Sequence, residues 1–431
     1  MGSGMSSEAE IQCRPLIARE TLDFGESSEV EFEAVRPFSW RAYLSFFTIG
    51  LSMMWTWSMI LQAIPYFQQR FLEDSWVLRN FQAFYLVFFA FTMLVVTFVI
   101  SMQSEHPSYS GRLRKSLVTY LVVAILLVLS TLDTFKLSAR PYLVFTLAMV
   151  VITSIANSMS QNAAFAFTAS FGRTEYAPAI MTGEAVAGLL PSTIEIISAL
   201  AFPVSHVETD SPKHRRSSST TVYFFTAAAV ALASLASLEY LQTKAPRFVR
   251  NEKCKTNARH WEMARKLKWP ALANFSCLCI SSVTPIFAAK ITSLEPETGA
   301  PVLLQPHAFI PLAIILWNVG DLMGSILAVA SKVLIRHPHI IFALSIARLG
   351  FIPLYLNCNI DGRGSFAGDW FYLVVQIFFG MTHGWLSGTS MMGVPEWVEP
   401  ADREDAGAFM GMTLVSGLVA GSVLGLVAAQ V

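Results

Sequence analysis

Residues 308–331 read AFIPLAIILWNVGDLMGSILAVAS. At ~1.5 Å per residue the stretch is long enough to cross the ~30 Å hydrocarbon layer of a bilayer, and almost all of it is apolar. Asp321 stands in its middle. A charged side chain at that depth costs ~2.5 kcal/mol or more, so it faces the protein interior or a wet cavity and marks a functional position by default. A membrane helix that carries its own polar site is therefore the unit from which the rest of the chain is read.

Composition agrees. Hydrophobic residues make up 54% of the 431 positions and charged residues 14%, against roughly 25% charged in a soluble domain; the mean hydropathy is +0.50. The chain reads as an all-α, multi-pass membrane protein. Its formal net charge is zero, which gives no footprint for nucleic acid. Cys13, Cys254, Cys277, Cys279 and Cys358 are odd in number and read as free thiols, with Cys277 and Cys279 on different sides of one helix. No Gly-rich phosphate loop points to ATP-driven transport, and no cofactor motif is apparent. Met1–Gly4 reads as an added leader ahead of a native Met5, although Gly2 and Ser6 also fit a myristoylation pattern.

Windows of about 20 apolar residues fall at 42–62, 80–101, 116–132, 141–168, 179–202, 221–241, 270–290, 308–331, 339–357, 370–392 and 404–430. Eleven spans are predicted. Placing the N-terminus in the cytosol leaves twenty Lys and Arg on the cytosolic side and nine on the other; cytosolic loops retain such residues, so the orientation is N-in and the C-terminus is luminal or extracellular. The basic run at Lys213–Arg216 falls on the outer side and argues against this. The predicted organisation is a disordered cytosolic tail (1–41), a six-span bundle (42–241), a basic cytosolic loop (242–269) suited to anionic lipid, and a five-span bundle (270–431). Two bundles joined by a charged linker resemble the plan of secondary carriers, in which the site lies near the midplane between the halves.

Polar side chains inside the spans supply the candidate site. Asn318, Asp321 and Ser325 share one stripe of the eighth span, with Gly324 allowing close approach. Ser154, Asn157 and Gln161 form a second stripe on the fourth span, and their amides both donate and accept. Either stripe could instead be interhelical glue. On the fifth span Glu184, Gly188, Pro191 and Glu195 share a face, and the two acids are candidate gating groups or simply paired carboxylates. Arg348, in the ninth span, needs a partner, and Asp321, Glu184 and Glu195 are the candidates. Met54 and Trp57 share a face of the first span, where the indole offers a stacking surface or ordinary packing. His383 can titrate near neutral pH, although a hydrogen-bonded core histidine is its ordinary state. The last span spaces Gly407 and Gly411, then Gly417, Gly421 and Gly425, by four, a ridge for close helix packing or sliding.

Several of these segments together resemble the equilibrative nucleoside transporter family. Tyr176–Gly188 (YAPAIMTGEAVAG) looks like its fifth-span signature, with Glu184 where glutamine is usual. WNVGDLMGS, IARLGFIPLYLNCN and EDAGAFMGMTLVSGLVAGSVLG resemble its eighth-, ninth- and eleventh-span motifs, in order along the chain. The resemblance implies an eleven-span, major-facilitator-like fold in a 6+5 arrangement, moving nucleosides and in some members nucleobases, down a gradient or with protons. By motif position it implies Trp57 beside the base, Gln161 hydrogen-bonded to the solute, and Asn318 and Asp321 facing the ribose. Ser325 stands where the family carries arginine, so Asp321 lacks that adjacent cation and a proton-coupled cycle or altered solute preference becomes an expectation.

Other classes have less behind them. A carrier of another small polar solute on the same scaffold is the second reading. A receptor normally has seven spans, and an intramembrane aspartyl protease needs two midplane aspartates where Asp321 is the only aspartate near the middle of a predicted span. No serine or cysteine sits in a nucleophile-elbow context, so the chain is expected not to be an enzyme. Its expected partners are solute, lipid bilayer and protons. Short outer loops and a weak dileucine-like QCRPLI tilt the expected location toward a vacuolar or lysosomal membrane.

Overall fold

A computed structural model describes residues 37–102, 108–132, 137–201, 212–245, 257–291, 293–294, 304, 306–330, 332–359 and 368–428. Helices occupy all eleven windows: α1 (Trp40–Gln62), α2 (Ser75–Met102), α3 (Tyr109–Ser130), α4 (Ala139–Ser170), α5 (Tyr176–Ala201), α6 (Pro212–Lys244), α7 (Lys268–Lys290), α8 (Pro306–Ala330), α9 (Pro338–Leu356), α10 (Gly368–Met392) and α11 (Arg403–Ala428). Among the described residues, eight of them are long and apolar enough to cross a bilayer. One that falls short, α10, does so because Gln376, His383 and Ser387 lower its hydropathy, and all three are buried against other helices. Large apolar side chains such as Phe91, Phe98 and Phe225 point outward instead, the surface that lipid covers. The chain is a multi-pass membrane protein.

Several helices extend past the apolar windows. α2 starts at Ser75 rather than 80 and α3 at Tyr109 rather than 116, because polar first turns continue the helix once it is capped. Asp74 caps α2, its Oδ1 accepting from the backbone N–H of Trp76 (3.1 Å) and Val77 (3.2 Å), while Oδ2 accepts from Arg140 Nε at 2.8 Å. The Arg140 bond, with the two amides, holds the Asp74 carboxyl below the ordinary aspartate value. That contribution is therefore present at neutral pH and is lost as pH falls through the lowered value. Asp74→Ala should speed amide exchange at Trp76 and Val77 and leave the middle of α2 unchanged; equal exchange in both proteins removes the cap.

α9 is broken by a 3-10 turn at Arg348–Gly350. Pro353 accounts for the break, since it has no N–H to give the carbonyl of Leu349 and its ring crowds that carbonyl. The basic segment ends in a short helix (Asn257–Lys266) whose Met263 is buried, while Lys266 pairs with Glu262 at 2.8 Å. Cys13 and Cys254 lie outside the described residues; Cys277, Cys279 and Cys358 are free. Cys277 is buried and Cys279 half-buried. Asn274, in the chain's one glycosylation sequon, is fully buried.

Glycines set the closest crossings. A side chain on Gly50 or Gly183 would run into the backbone of α5 or α1 respectively, and Gly320, Gly324, Gly380 and Gly384 bring α8 and α10 into backbone contact in the same way. The α11 ridge serves two partners. Gly407 and Gly411 lie on α4 at Phe165 and Gln161, whereas Gly417 and Gly421 lie on α7 at Phe275 and Cys279. α11 thus holds one helix from each half of the sequence along a single face.

Candidate functional site

Between α1, α2, α4 and α5 on one side and α7, α8, α10 and α11 on the other lies a cavity of about 280 Å³. Its walls are mostly apolar: Met54, Met93, Met181, Leu278, Leu414 and Leu418 line it. Two polar groups interrupt them. On the first wall Gln161 Nε2 donates to Glu184 Oε1 at 2.5 Å, with Asn157 beside them. Tyr120 donates to Asn157 Oδ1 at 3.3 Å and lies 2.8 Å from Ser160 Oγ, so the α4 stripe is held from behind by α3.

The second wall carries Asn318, Asp321 and His383. Asp321 Oδ1 and His383 Nδ1 are 2.6 Å apart, a short bond between α8 and α10 that the glycine crossing makes possible. The indole of Trp317 lies 5.6 Å from the imidazole, centre to centre. Asn318 Nδ2 donates to Ile314 O one turn back at 2.8 Å, and Gly188 of α5 leaves room for its Oδ1, 2.5 Å from where a Cβ would stand. Two polar atoms in this region, Gln161 Oε1 and His383 Nε2, are buried and lack a hydrogen-bond partner among the described residues. Unsatisfied buried polar atoms are rare enough in folded proteins that each asks for a cause. Here both belong to side chains lining one cavity, from opposite walls.

The structure gathers Met54, Gln161, Glu184, Asn318 and Asp321 around one space and leaves Trp57 and Ser325 out of its lining. Trp57 is buried with its indole stacked on Phe89 (3.9 Å, 17°) and does not line the cavity. Ser325 is buried at the α8–α10 crossing beside Gly384. Glu195 lies on α5, where its side chain is outside the described residues. Ser154 acts as glue, donating to Phe89 O at 2.7 Å.

Among the described residues, the hydrogen bonds of Arg348 reach neither Asp321 nor Glu184. Its guanidinium donates to Cys277 O (2.8 Å), Cys277 Sγ (3.0 Å), Ser281 Oγ (2.8 Å), Phe379 O (3.2 Å) and Thr382 Oγ1 (3.2 Å), over the Phe379 ring at 4.5 Å. A fork of five donors can be satisfied by neutral acceptors where helix carbonyls converge. Ser281 lines the cavity, so Arg348 stands directly behind its wall. Trp317 is not among the residues singled out from the sequence, and His383 is singled out there only as a titratable or core histidine, without a place in the site. The spacing of Gln376, Gly380, His383, Gly384 and Ser387 along one face of α10 is the signal that would have found the histidine.

A bundle of membrane helices around a mostly apolar cavity, with polar groups on two facing walls, fits a membrane transporter with a major-facilitator-like fold. Solved structures with this fold include the transporter FucP in an outward conformation (TM-score 0.57, 19% identity, 90% of this chain and 92% of that one) and the proton:xylose symporter XylE (TM-score 0.53, 11% identity, 90% and 94%). The family model for nucleoside transporters matches residues 147–271 and 269–429, and the chain belongs to that family. Similar relatives are nucleoside transporter FUN26 of Saccharomyces cerevisiae (28% identity over 89% of this chain and 83% of that one), equilibrative nucleotide transporter 8 of Arabidopsis thaliana (24%; 89% and 94%) and human equilibrative nucleoside transporter 1 (25%; 77% and 78%).

Proposed function

We propose that the chain carries nucleosides, and nucleobases, across a membrane by alternating access, with the solute held in the central cavity and a proton as co-substrate. The observation behind this reading is the pairing of walls: Gln161 and Glu184 face Asn318, Asp321 and His383 across apolar side chains. A cavity of about 280 Å³ is close to the lower end of the ~300–1,000 Å³ usual for small-molecule sites, which suits a single solute of nucleoside size. Amides and carboxylates at its two ends match base edges and ribose hydroxyls, and the methionines between them adapt to a flat ring. Trp57 then supports the site from behind by fixing Phe89, and Ser325 lets α8 and α10 meet.

The same lining argues against nucleotides. A phosphate group needs Arg or Lys at hydrogen-bond distance, and neither type lines the cavity among the described residues. Arg348 is turned into the wall with its donors used. The 6+5 division, eleven crossings with the N-terminus in the cytosol, and a vacuolar or lysosomal location complete the reading, as does the absence of an enzymatic role. The basic linker and the charge asymmetry of the loops support the orientation.

Purified protein in liposomes tests it. Radiolabelled uridine, adenosine and adenine should enter by saturable uptake and exchange in counterflow, while UMP is excluded. If none of the three moves, with or without an inward proton gradient, the reading is wrong.

A further inference from the structure

We propose that the Asp321–His383 pair is the proton-binding site of the transport cycle, and that the solute reads its protonation through His383 Nε2. This rests on the carrier reading and adds to it the atom that couples the two fluxes. His383 joins Asp321 through Nδ1 at 2.6 Å, which leaves Nε2 as its only other side-chain polar atom. Nε2 is buried, belongs to a side chain lining the cavity, and has no partner among the described residues.

Proton bookkeeping on this geometry gives two states. With one proton, the pair keeps it inside the 2.6 Å bond, and Nε2 offers a bare lone pair to the cavity. With two, Nε2 carries a hydrogen whether the shared proton sits on nitrogen or on oxygen. The assignment therefore does not depend on splitting the charge between two tightly coupled groups. The second proton comes from water on the side with the higher proton concentration and is released when the empty pair faces the other side. A solute acceptor, such as a base carbonyl, bonds to Nε2 only in the two-proton state. Solute and proton binding then favour each other by the same factor.

Other ionisable groups around His383 do not replace it. Asp321 faces it from α8, Cys277 from α7, where its thiol donates to His383 O at 3.7 Å, and Glu184 across the cavity from α5. Arg348, at the break in α9, lies on the far side of Cys277 and Ser281 with its donors bonded to them. Glu184 Oε1 is engaged by Gln161 at 2.5 Å, which makes it part of the opposite wall. Among these groups, His383 has a buried ring nitrogen with no partner of its own.

Equilibrium binding of uridine and adenosine to the detergent-solubilised wild-type protein between pH 5.5 and 8, with a pH dye in weak buffer, measures the linkage without any substitution. Affinity should fall by close to tenfold per pH unit on the alkaline limb, with about one proton taken up per solute bound. His383→Gln should abolish that proton uptake, and Glu184→Gln, whatever its affinity, should keep it. Binding that is flat across the pH range, or proton uptake that survives His383→Gln and is lost in Glu184→Gln, overturns the proposal while leaving the carrier reading intact. No binding and no flux of any nucleoside or nucleobase overturns both.

Discussion

Asp321→Asn should lower uridine and adenosine uptake into proteoliposomes at least tenfold and remove its dependence on an inward proton gradient. The carboxylate has two roles on the cavity wall. In the proposed cycle it accepts from solute hydroxyls, and it anchors His383 through the 2.6 Å bond. Hydrogen bonds to charged groups contribute ~1.5–3 kcal/mol, and each ~1.4 kcal/mol is a factor of ten in binding, so losing even one predicts the tenfold fall. The coupling is lost for a different reason. An amide at position 321 can either accept from Nδ1–H or donate to a bare Nδ1, so the two imidazole tautomers interchange with no net proton taken from water. The volume is nearly unchanged, so the helix crossing is kept and the thermal unfolding midpoint should stay close to wild type. A variant that keeps both its uptake rate and its pH dependence removes Asp321 from the mechanism.

How far the sequence led is clearest from this same helix. Asp321 announces itself because a carboxylate in a membrane span is expensive, and Asn318 follows from helical spacing; both line the cavity. Gln161 was found by the same argument on α4. The partner of Asp321 was not, because His383 is 62 positions away and no periodicity connects two helices. Arg348 shows a second limit. Sequence displays carboxylates as partners for a buried cation but hides the backbone carbonyls of Cys277 and Phe379, which become available only where three helices converge. Trp57 shows a third, since sharing a helical face with Met54 fixes its direction only within a broad stripe, and a turn toward Phe89 takes the indole out of the cavity. The eleven helices themselves were legible from apolar runs, whereas the break in α9 needed Pro353 to be weighed against Leu349 one turn earlier.

The glycines of α8 and α10 lead to the other large effect. Gly384→Ala should lower the thermal unfolding midpoint by several degrees and reduce solute uptake at least tenfold, although it adds only one methyl group. A Cβ at Gly384 would collide with the carbonyl of Asp321 and stand 2.8 Å from Ser325 N and 2.9 Å from Asp321 Oδ1. These are mainly backbone atoms, so no rotamer change relieves the contact, and the two helices must separate. Overpacking of this kind costs ~1–3 kcal/mol and more where the backbone has to move. Separation also lengthens the 2.6 Å Asp321–His383 bond, which depends on the closeness of this crossing. Stability and transport should therefore fall together here, while Asp321→Asn separates them by sparing the fold. Gly388→Ala is the control on the same helix, because its Cβ would meet the Ala328 methyl at 3.1 Å and Ser325 Cα at an ordinary 3.9 Å. If Gly384→Ala unfolds and transports like wild type, or if Gly388→Ala is equally damaging, the close α8–α10 contact does not position the site.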